Sequence, residues 1–453
     1  MQYRSPLRPW SLLTILALCA VSQAQGDPRV NAKIVDLGKN HNQVMKTLTS
    51  LTSIGPRLTT SPNLDRAAAW CMSEFRKYGL TNVHLEEWGE WPVGFQRGDR
   101  QSARMVAPSV REFEFTSPSW TPGTNGPLRG KAILAPTTMA EFNAVRDQLK
   151  GAWVVYPYPT LRGTDWTPVD TALENIGIAG RVTRSNDDLV VTSGRWNIAW
   201  DNLPKNRRVI IRSSDMDALL TSILSGQKPE LEIEMEQTFI RGPRKNANVI
   251  ADIRGTEKPD EYVIVSGHLD SWDGPGSTGT CDNATGCSVA LEAARLLMAS
   301  GARPKRTIRF VLWTGEEQGL HGSRRYVEMH KDELDKISCV FVDDGGTNYQ
   351  GGMSLESSME PILRKAREPM NGVFPDMPFE FRVVENIPRG GGSDHAPFNA
   401  VSVPGFFWFE TGRANYRYIH HTQHDSLEHA IPEYLVQSST NSAVMSYNVA
   451  CAE

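Results

Sequence analysis

The amino-acid sequence predicts an α/β fold: a three-layer αβα sandwich around a mixed, largely parallel sheet, with a mostly-β module inserted into it. Three observations carry that prediction. Apolar runs at 262–265, 308–312 and 339–342 have the length and composition of buried strands. Between the first two lies a turn-rich loop, GPGSTGTCDNATG, followed by SVALEAARLLMAS, whose apolar residues recur at helical spacing. Strand, helix and strand in that order make parallel neighbours, which brings all three strand ends to one edge of the sheet.

The residues at that edge point to chemistry. The first run delivers His268 and Asp270, the second stops on Glu316 and Glu317, the third on Asp343 and Asp344, and the loop adds Asp282. Ligands of open α/β sheets collect at such an edge. Taken singly, each acid reads as a solvated charge at a strand end. Together they make a carboxylate-rich pocket whose charge is tolerable chiefly when cations neutralise it. Neighbours on an extended segment point to opposite sides, so one of Glu316 and Glu317 can face a metal while the other faces a bound water. A hydrolase needs that division.

The remaining elements follow in order. Arg4 and Arg8, an apolar core at 12–21 and Ser22-Gln23-Ala24 read as a secretory signal cut before Gln25, which implies a secreted or periplasmic protein. The core is too short to span a bilayer as a mature helix, and Leu18 before Cys19 is a poor lipoprotein signal. Residues 30–51 read as one helix and 64–80 as another, with Ser61 as N-cap, Pro62 at the first helical position and Gly79 as C-cap. A strand follows at 82–88. From 91 to 239 the apolar runs shorten and Pro, Gly, Trp and Ser become common, with only 215–226 helical. This module has no histidine and reads as a lid over substrate access. ANVIADIRG restarts a hairpin into the first key strand, so the first segment of the chain should pack with the last. The resulting division is 1–24 signal, 25–90 first part of the main domain, 91–239 insertion and 240–453 the rest.

Downstream, Gly390, Gly391 and Gly392 precede Ser393, Asp394 and His395, and four histidines follow within ten residues: His420, His421, His424 and His429. Spacing alone does not choose among the four. A final helix closes the chain after Pro432. The 453 residues, 40% hydrophobic, allow a large core and two domains. A net charge of -4 with no long basic run argues against nucleic acid, and no segment beyond the signal is apolar enough for stable membrane insertion. Five cysteines remain after cleavage, too few for a disulfide framework. Cys281 and Cys287 flank Asp282 closely enough to pair, but read more simply as buried thiols. Trp272, Trp313, Phe406, Phe407, Trp408 and Phe409 read as core or as apolar subsites.

Five pieces, GHLDSWD, CDNATG, TGEEQGLHGS, DDGG and HTQHDS, with GGSDHAPF between the last two, resemble the di-zinc exopeptidases of clan MH. That family includes plasma carboxypeptidase Q, glutamate carboxypeptidase II and secreted bacterial leucine aminopeptidases. IGPRLTTSPNLDRAAAW and ANVIADIRG extend the likeness over nearly all of the mature chain. The insertion looks like the protease-associated domain of the carboxypeptidase Q branch. The resemblance implies two zinc ions, with cobalt or manganese as possible substitutes. His268 and Asp344 would hold the first, Glu317 and His421 the second, and Asp282 would bridge them across a cis peptide to Asn283. Asp344 is preferred to Asp343 because DGGT looks like the family's DAGT. Asp270 would stand behind His268 and fix its tautomer, Glu316 would be the general base, and His420 would sit over the substrate near the developing oxyanion. Asp394 and His395 would line the pocket or brace it, and Arg389 has no assigned role. Ser426 replaces a frequent Thr, and Asn283 replaces the Asp frequent in the carboxypeptidase Q branch, which leaves specificity open. The implied activity is peptide hydrolysis at a chain end or in dipeptides, by an enzyme whose relatives with this insertion are often homodimers. A glutaminyl cyclase-like acyl transferase with one zinc is a second reading. A receptor-like binding protein without metals is a third, opposed by the filled ligand positions.

Overall fold

The computed structural model describes residues 25–159 and 168–453, so the signal read at 1–24 lies outside the described residues. The three key strands pair side by side and parallel. Lys258–His268 is central, with Arg306–Trp313 on one side and Ile337–Val342 on the other. Gly405–Phe407 extends the sheet beyond Ile337–Val342. Register places Trp313 opposite His268 and Val342 opposite Ser266, which levels the three ends.

Alternation along these strands builds the two cores. Val263, Val265, Phe310, Leu312, Cys339 and Phe341 face one side, against the helices Pro62–Tyr78, Thr285–Ser300 and Pro432–Cys451. Ile264, Val311, Trp313, Val340 and Val342 face the other, against Tyr326, Val327 and Phe398 of His321–Met329 and His395–Ala400. This is the predicted three-layer sandwich. Gly267 and Gly286 bring the central strand and the Thr285–Ser300 helix together. A Cβ on Gly267 would lie 3.0 Å from the Gly286 carbonyl carbon, and one on Gly286 would overlap the Asp343 carbonyl oxygen.

Local signals at the first helices hold. Ser61 Oγ accepts from the Leu64 N–H at 3.2 Å, Pro62 opens the helix, and Gly79 closes it at φ 94°. The predicted single helix at 30–51 is two, Pro28–Asn40 and Val44–Thr52, because the break brings the Gln43 N–H to Glu292 Oε1 at 2.8 Å. The first and last segments do pack together, with Asn31 and Asn448 exchanging side-chain hydrogen bonds at 3.0 and 2.8 Å.

The expected hairpin into the central strand does not form. Glu230–Ile253 pairs instead with Arg306–Trp313 and, over its whole length, with Thr81–Ala107. Arg306–Trp313 is buried on both faces and takes the place beside the central strand that a hairpin would fill. The two long antiparallel strands run unbroken past residues 91 and 239 and carry the sheet into the inserted segment. That segment is more helical than its sequence suggested: Met139–Leu149 and Pro168–Ile176 join Ser213–Leu224. They flank the parallel strands Leu128–Leu134, Trp153–Pro159, Gly180–Arg184 and Arg208–Ile211. The apolar run 188–194 contributes only isolated bridges. The five described cysteines are buried thiols, Cys281 and Cys287 among them. Among the described residues no helix is long and apolar enough to cross a membrane.

Candidate active site

The level strand ends bring His268, Glu316, Glu317 and Asp344 to one cavity of about 880 Å³, where Asp282 from the turn before Thr285–Ser300 and His420 and His421 from just after Tyr416–Ile419 meet them, and all but His268 line it. His268 is buried at the tip of its strand. Its Nε2 lies 2.9 Å from Asp344 Oδ1 and 3.2 Å from Asp282 Oδ1. His421 Nε2 lies 3.0 Å from Asp282 Oδ2 and 2.9 Å from Glu317 Oε2. Asp282 therefore faces two imidazoles with different oxygens, and its peptide bond to Asn283 is cis.

Charge in the site alternates. Burial disfavours the His268 cation, but Asp344, Glu316 and Asp282 outweigh it and raise the imidazole well above its usual pKa. His421 is likewise opposed by burial and raised to about 11 by Glu317 and Asp282. Burial and the Asp282 charge raise Glu317 to about 7. Asp282 Oδ2 is buried without an aligned hydrogen-bond donor, although His421 is near. Two imidazole nitrogens and three carboxylates crowded this closely are a donor set for divalent cations, and the orphaned oxygen is one that a cation would satisfy. His268, Asp282 and Asp344 form one potential metal-binding group, and Asp282, His420 and His421 form another. The His420 ring stacks on that of His421 at 3.8 Å, with its Nε2 3.7 Å from Asp282 Oδ2, so His420 stands as close to the metal-binding atoms as to the open cavity.

The surroundings separate roles that the sequence left open. Asp344 meets His268, whereas Asp343 turns away and accepts from Gln350 Nε2 at 2.6 Å. Asp270 stands behind His268, but its carboxylate is not the close partner expected. His268 Nδ1 is 3.0 Å from the Asp270 main-chain oxygen and 3.8 Å from Oδ1. The carboxylate is instead committed to the N–H groups of Glu316 and Glu317, at 3.3 and 3.4 Å, and to the Thr59 hydroxyl at 2.9 Å. It thus orients the segment that carries both glutamates. Burial, with Asp344, Asp394 and Glu317 nearby, pushes the Glu316 carboxyl well above the usual range. Asp394 is fully buried behind the site, accepts from Ser323 Oγ at 2.5 Å, and is raised to about 8, chiefly by burial. Ser393 and His395 line the cavity; Arg389 is exposed outside it.

Of the aromatic residues, Trp313, Phe406 and Trp408 are core, while Phe407 and Phe409 line the cavity. Trp272 joins a cluster with Trp88, Trp91 and Trp120 between the sandwich and the insertion. Sequence reasoning passed over Tyr416 and Glu410, which line the cavity, and Asp425, which accepts from the Cys281 N–H at 2.5 Å and so anchors the loop before Asp282. The HTQHD spacing marks Asp425. No local signal marks the other two.

Comparison with known proteins agrees with this site. Residues 248–445 match Peptidase family M28. Carboxypeptidase Q of Mus musculus is 30% identical over 423 residues, covering 91% of this chain and 87% of that protein. Carboxypeptidase Q of Xenopus laevis is 30% identical over 442 residues, covering 94% and 90%. A peptidase M28 precursor from Shewanella amazonensis has the same fold, with a TM-score of 0.68 at 22% identity over 94% of this chain and 97% of its own. So does a zinc aminopeptidase from Bacillus subtilis, with a TM-score of 0.57 at 22% identity over 89% and 94%. The sandwich with its ligand-bearing edge is that of a metallopeptidase. The chain belongs to peptidase family M28.

Proposed function

We propose that this chain is a secreted or periplasmic zinc-dependent exopeptidase that removes single residues from peptides or splits dipeptides. The observation that carries the reading is Asp282, one oxygen facing His268 and the other His421, beside the buried carboxyl of Glu316. The relatives' names, carboxypeptidase Q and zinc aminopeptidase, support chain-end cleavage and the choice of zinc.

His268, Asp344 and Asp282 would hold one zinc ion, and Asp282, Glu317 and His421 the other. Bound there, the ions would lower the pKa of the attacking water and polarise the scissile carbonyl. Glu316 takes the proton from that water and hands it to the leaving amine. Asp270 keeps Glu316 and Glu317 in register through their N–H groups. His420, at the cavity wall, is placed to donate to the carbonyl oxygen as negative charge develops. The segment 91–239 serves as a protease-associated-like module beside a peptidase domain made of 25–90 and 240–453.

Purified zinc-loaded protein incubated with Leu-Gly-Phe and Leu-Phe tests the reading, with the first free products identified by mass spectrometry. Leucine first from the tripeptide means an aminopeptidase, phenylalanine first a carboxypeptidase, and cleavage of the dipeptide alone a dipeptidase. Release of nothing from either, with zinc bound, overturns the proposal.

A further inference from the structure

The loop that carries His421 is not held by the sandwich alone. Residues 187–194 of the inserted segment reach it as an extended strap. The Thr192 N–H donates to the His421 carbonyl oxygen at 2.7 Å, and the Thr192 hydroxyl donates to the same oxygen at 3.1 Å. Val191 bridges antiparallel to Thr422. The Val190 N–H donates to Gln423 Oε1 at 2.9 Å, and Gln423 Nε2 in turn donates to the Asp188 carbonyl at 3.2 Å and to Glu114 Oε2 at 3.0 Å.

The strap is itself anchored. Val190 and Thr192 are buried, and the Ser119 N–H donates to the Ser193 carbonyl at 2.7 Å. The Thr192 methyl packs so tightly on Gly274 that a Cβ there would overlap it. His421, meanwhile, has φ 57°, a left-handed conformation that a residue with a side chain adopts only when its surroundings hold it there. That conformation aims its Nε2 at Asp282 and Glu317. Two hydrogen bonds on the carbonyl oxygen of a single peptide unit fix the plane from which the side chain projects.

We propose that Thr192 is a positioning residue of the metal site: the strap from the inserted segment locks the His421 peptide and so sets the imidazole as a ligand of the second zinc ion. The inserted segment is thereby part of the catalytic apparatus. This inference rests on the reading of His421 as a zinc ligand.

The test compares zinc affinity in the wild type, Thr192→Val, Thr192→Ser and the double variant Thr192→Val/Gln423→Leu, each checked for folding by circular dichroism. Zinc is withdrawn stepwise with a chromophoric chelator. Partners that orient a metal-ligating histidine change affinity roughly 10- to 100-fold when lost. The double variant should therefore hold one of its two zinc ions about tenfold less tightly or worse than the wild type does, with the other unchanged. Thr192→Val, which keeps the N–H bond, should fall between, and Thr192→Ser, which keeps both bonds, should match the wild type. Cobalt-substituted protein should show the same loss in its visible absorption. A folded double variant with wild-type affinity at both sites overturns the strap's role and leaves the zinc site standing, and equal weakening of both ions overturns it too. A wild type that binds fewer than two zinc ions overturns the metal-site reading and the strap together.

Discussion

Arg57 Nε donates to the Leu269 carbonyl at 2.7 Å, from a guanidinium with no exposed surface. Its other nitrogens reach the carbonyls of Thr278 at 3.2 Å and Gly279 at 2.6 Å. One side chain from the N-terminal segment thus spans the loop from just after His268 to just before Asp282. Arg57→Met should orphan the buried Leu269 carbonyl and take a donor from those of Thr278 and Gly279, although Gly279 still accepts from the Ala284 N–H at 3.2 Å, for a loss of about 1–3 kcal/mol. Urea unfolding of the zinc-stripped proteins would show it as a lower midpoint at an unchanged slope.

Glu316→Gln keeps the shape of the side chain and removes the base. Turnover should fall by about 10²- to 10⁴-fold while zinc content measured by mass spectrometry stays at the wild-type level. Loss of zinc in that variant would move Glu316 from base to ligand.

Asp282→Ala removes both oxygens that face His268 and His421. Both zinc ions should be lost on dialysis, whereas His421→Ala should cost one. Retention of two ions by Asp282→Ala would remove it as the bridge.

Gly286→Ala places a methyl against the Asp343 carbonyl and Asn283 Oδ1, at the closest approach of helix and sheet. Overpacking of this kind costs about 1–3 kcal/mol. Because the displaced groups adjoin Asp282 and Asp344, thermal unfolding and zinc retention should fall together.

His330 caps the C-terminal end of the helix His321–Met329, in a different setting. Its Nε2 is 2.8 Å from Glu86 Oε1 and its Nδ1 is 3.2 Å from Glu333 Oε2. The Glu86 hydrogen bond raises its pKa. A raised histidine stabilises the fold fully below its unfolded pKa of about 6.5, and the gain disappears as pH rises through the folded value. Partly exposed, the pair contributes at most about 1 kcal/mol. His330→Gln should therefore be less stable than wild type at pH 5.5, with the gap closing by pH 9, as read by urea unfolding at both values.

The sequence by itself determined the key strands and most of the residues gathered at their ends. Short, mainly apolar runs at 262–265, 308–312 and 339–342 specify buried strands, and strand–helix–strand order forces them parallel, so acids placed just after each strand must meet. Ser61, Pro62 and Gly79 mark a helix by chemistry acting within four residues. Tertiary structure decided what depends on partners far away in sequence. Apart from the likeness of DGGT to DAGT, nothing local separates Asp343 from Asp344; Gln350, held in turn by Asn441 Nδ2 at 2.7 Å, takes one and leaves the other to His268. The expected hairpin gave way because Arg306–Trp313 competes for the same strand edge. The short apolar run at 188–194 has no marker of its partner, which is a loop more than two hundred residues on. Local periodicity encodes which face of an element is buried. It does not encode which distant backbone will satisfy its hydrogen bonds, and Asp270, Glu410, Tyr416 and Thr192 acquire their places in this site only through that choice.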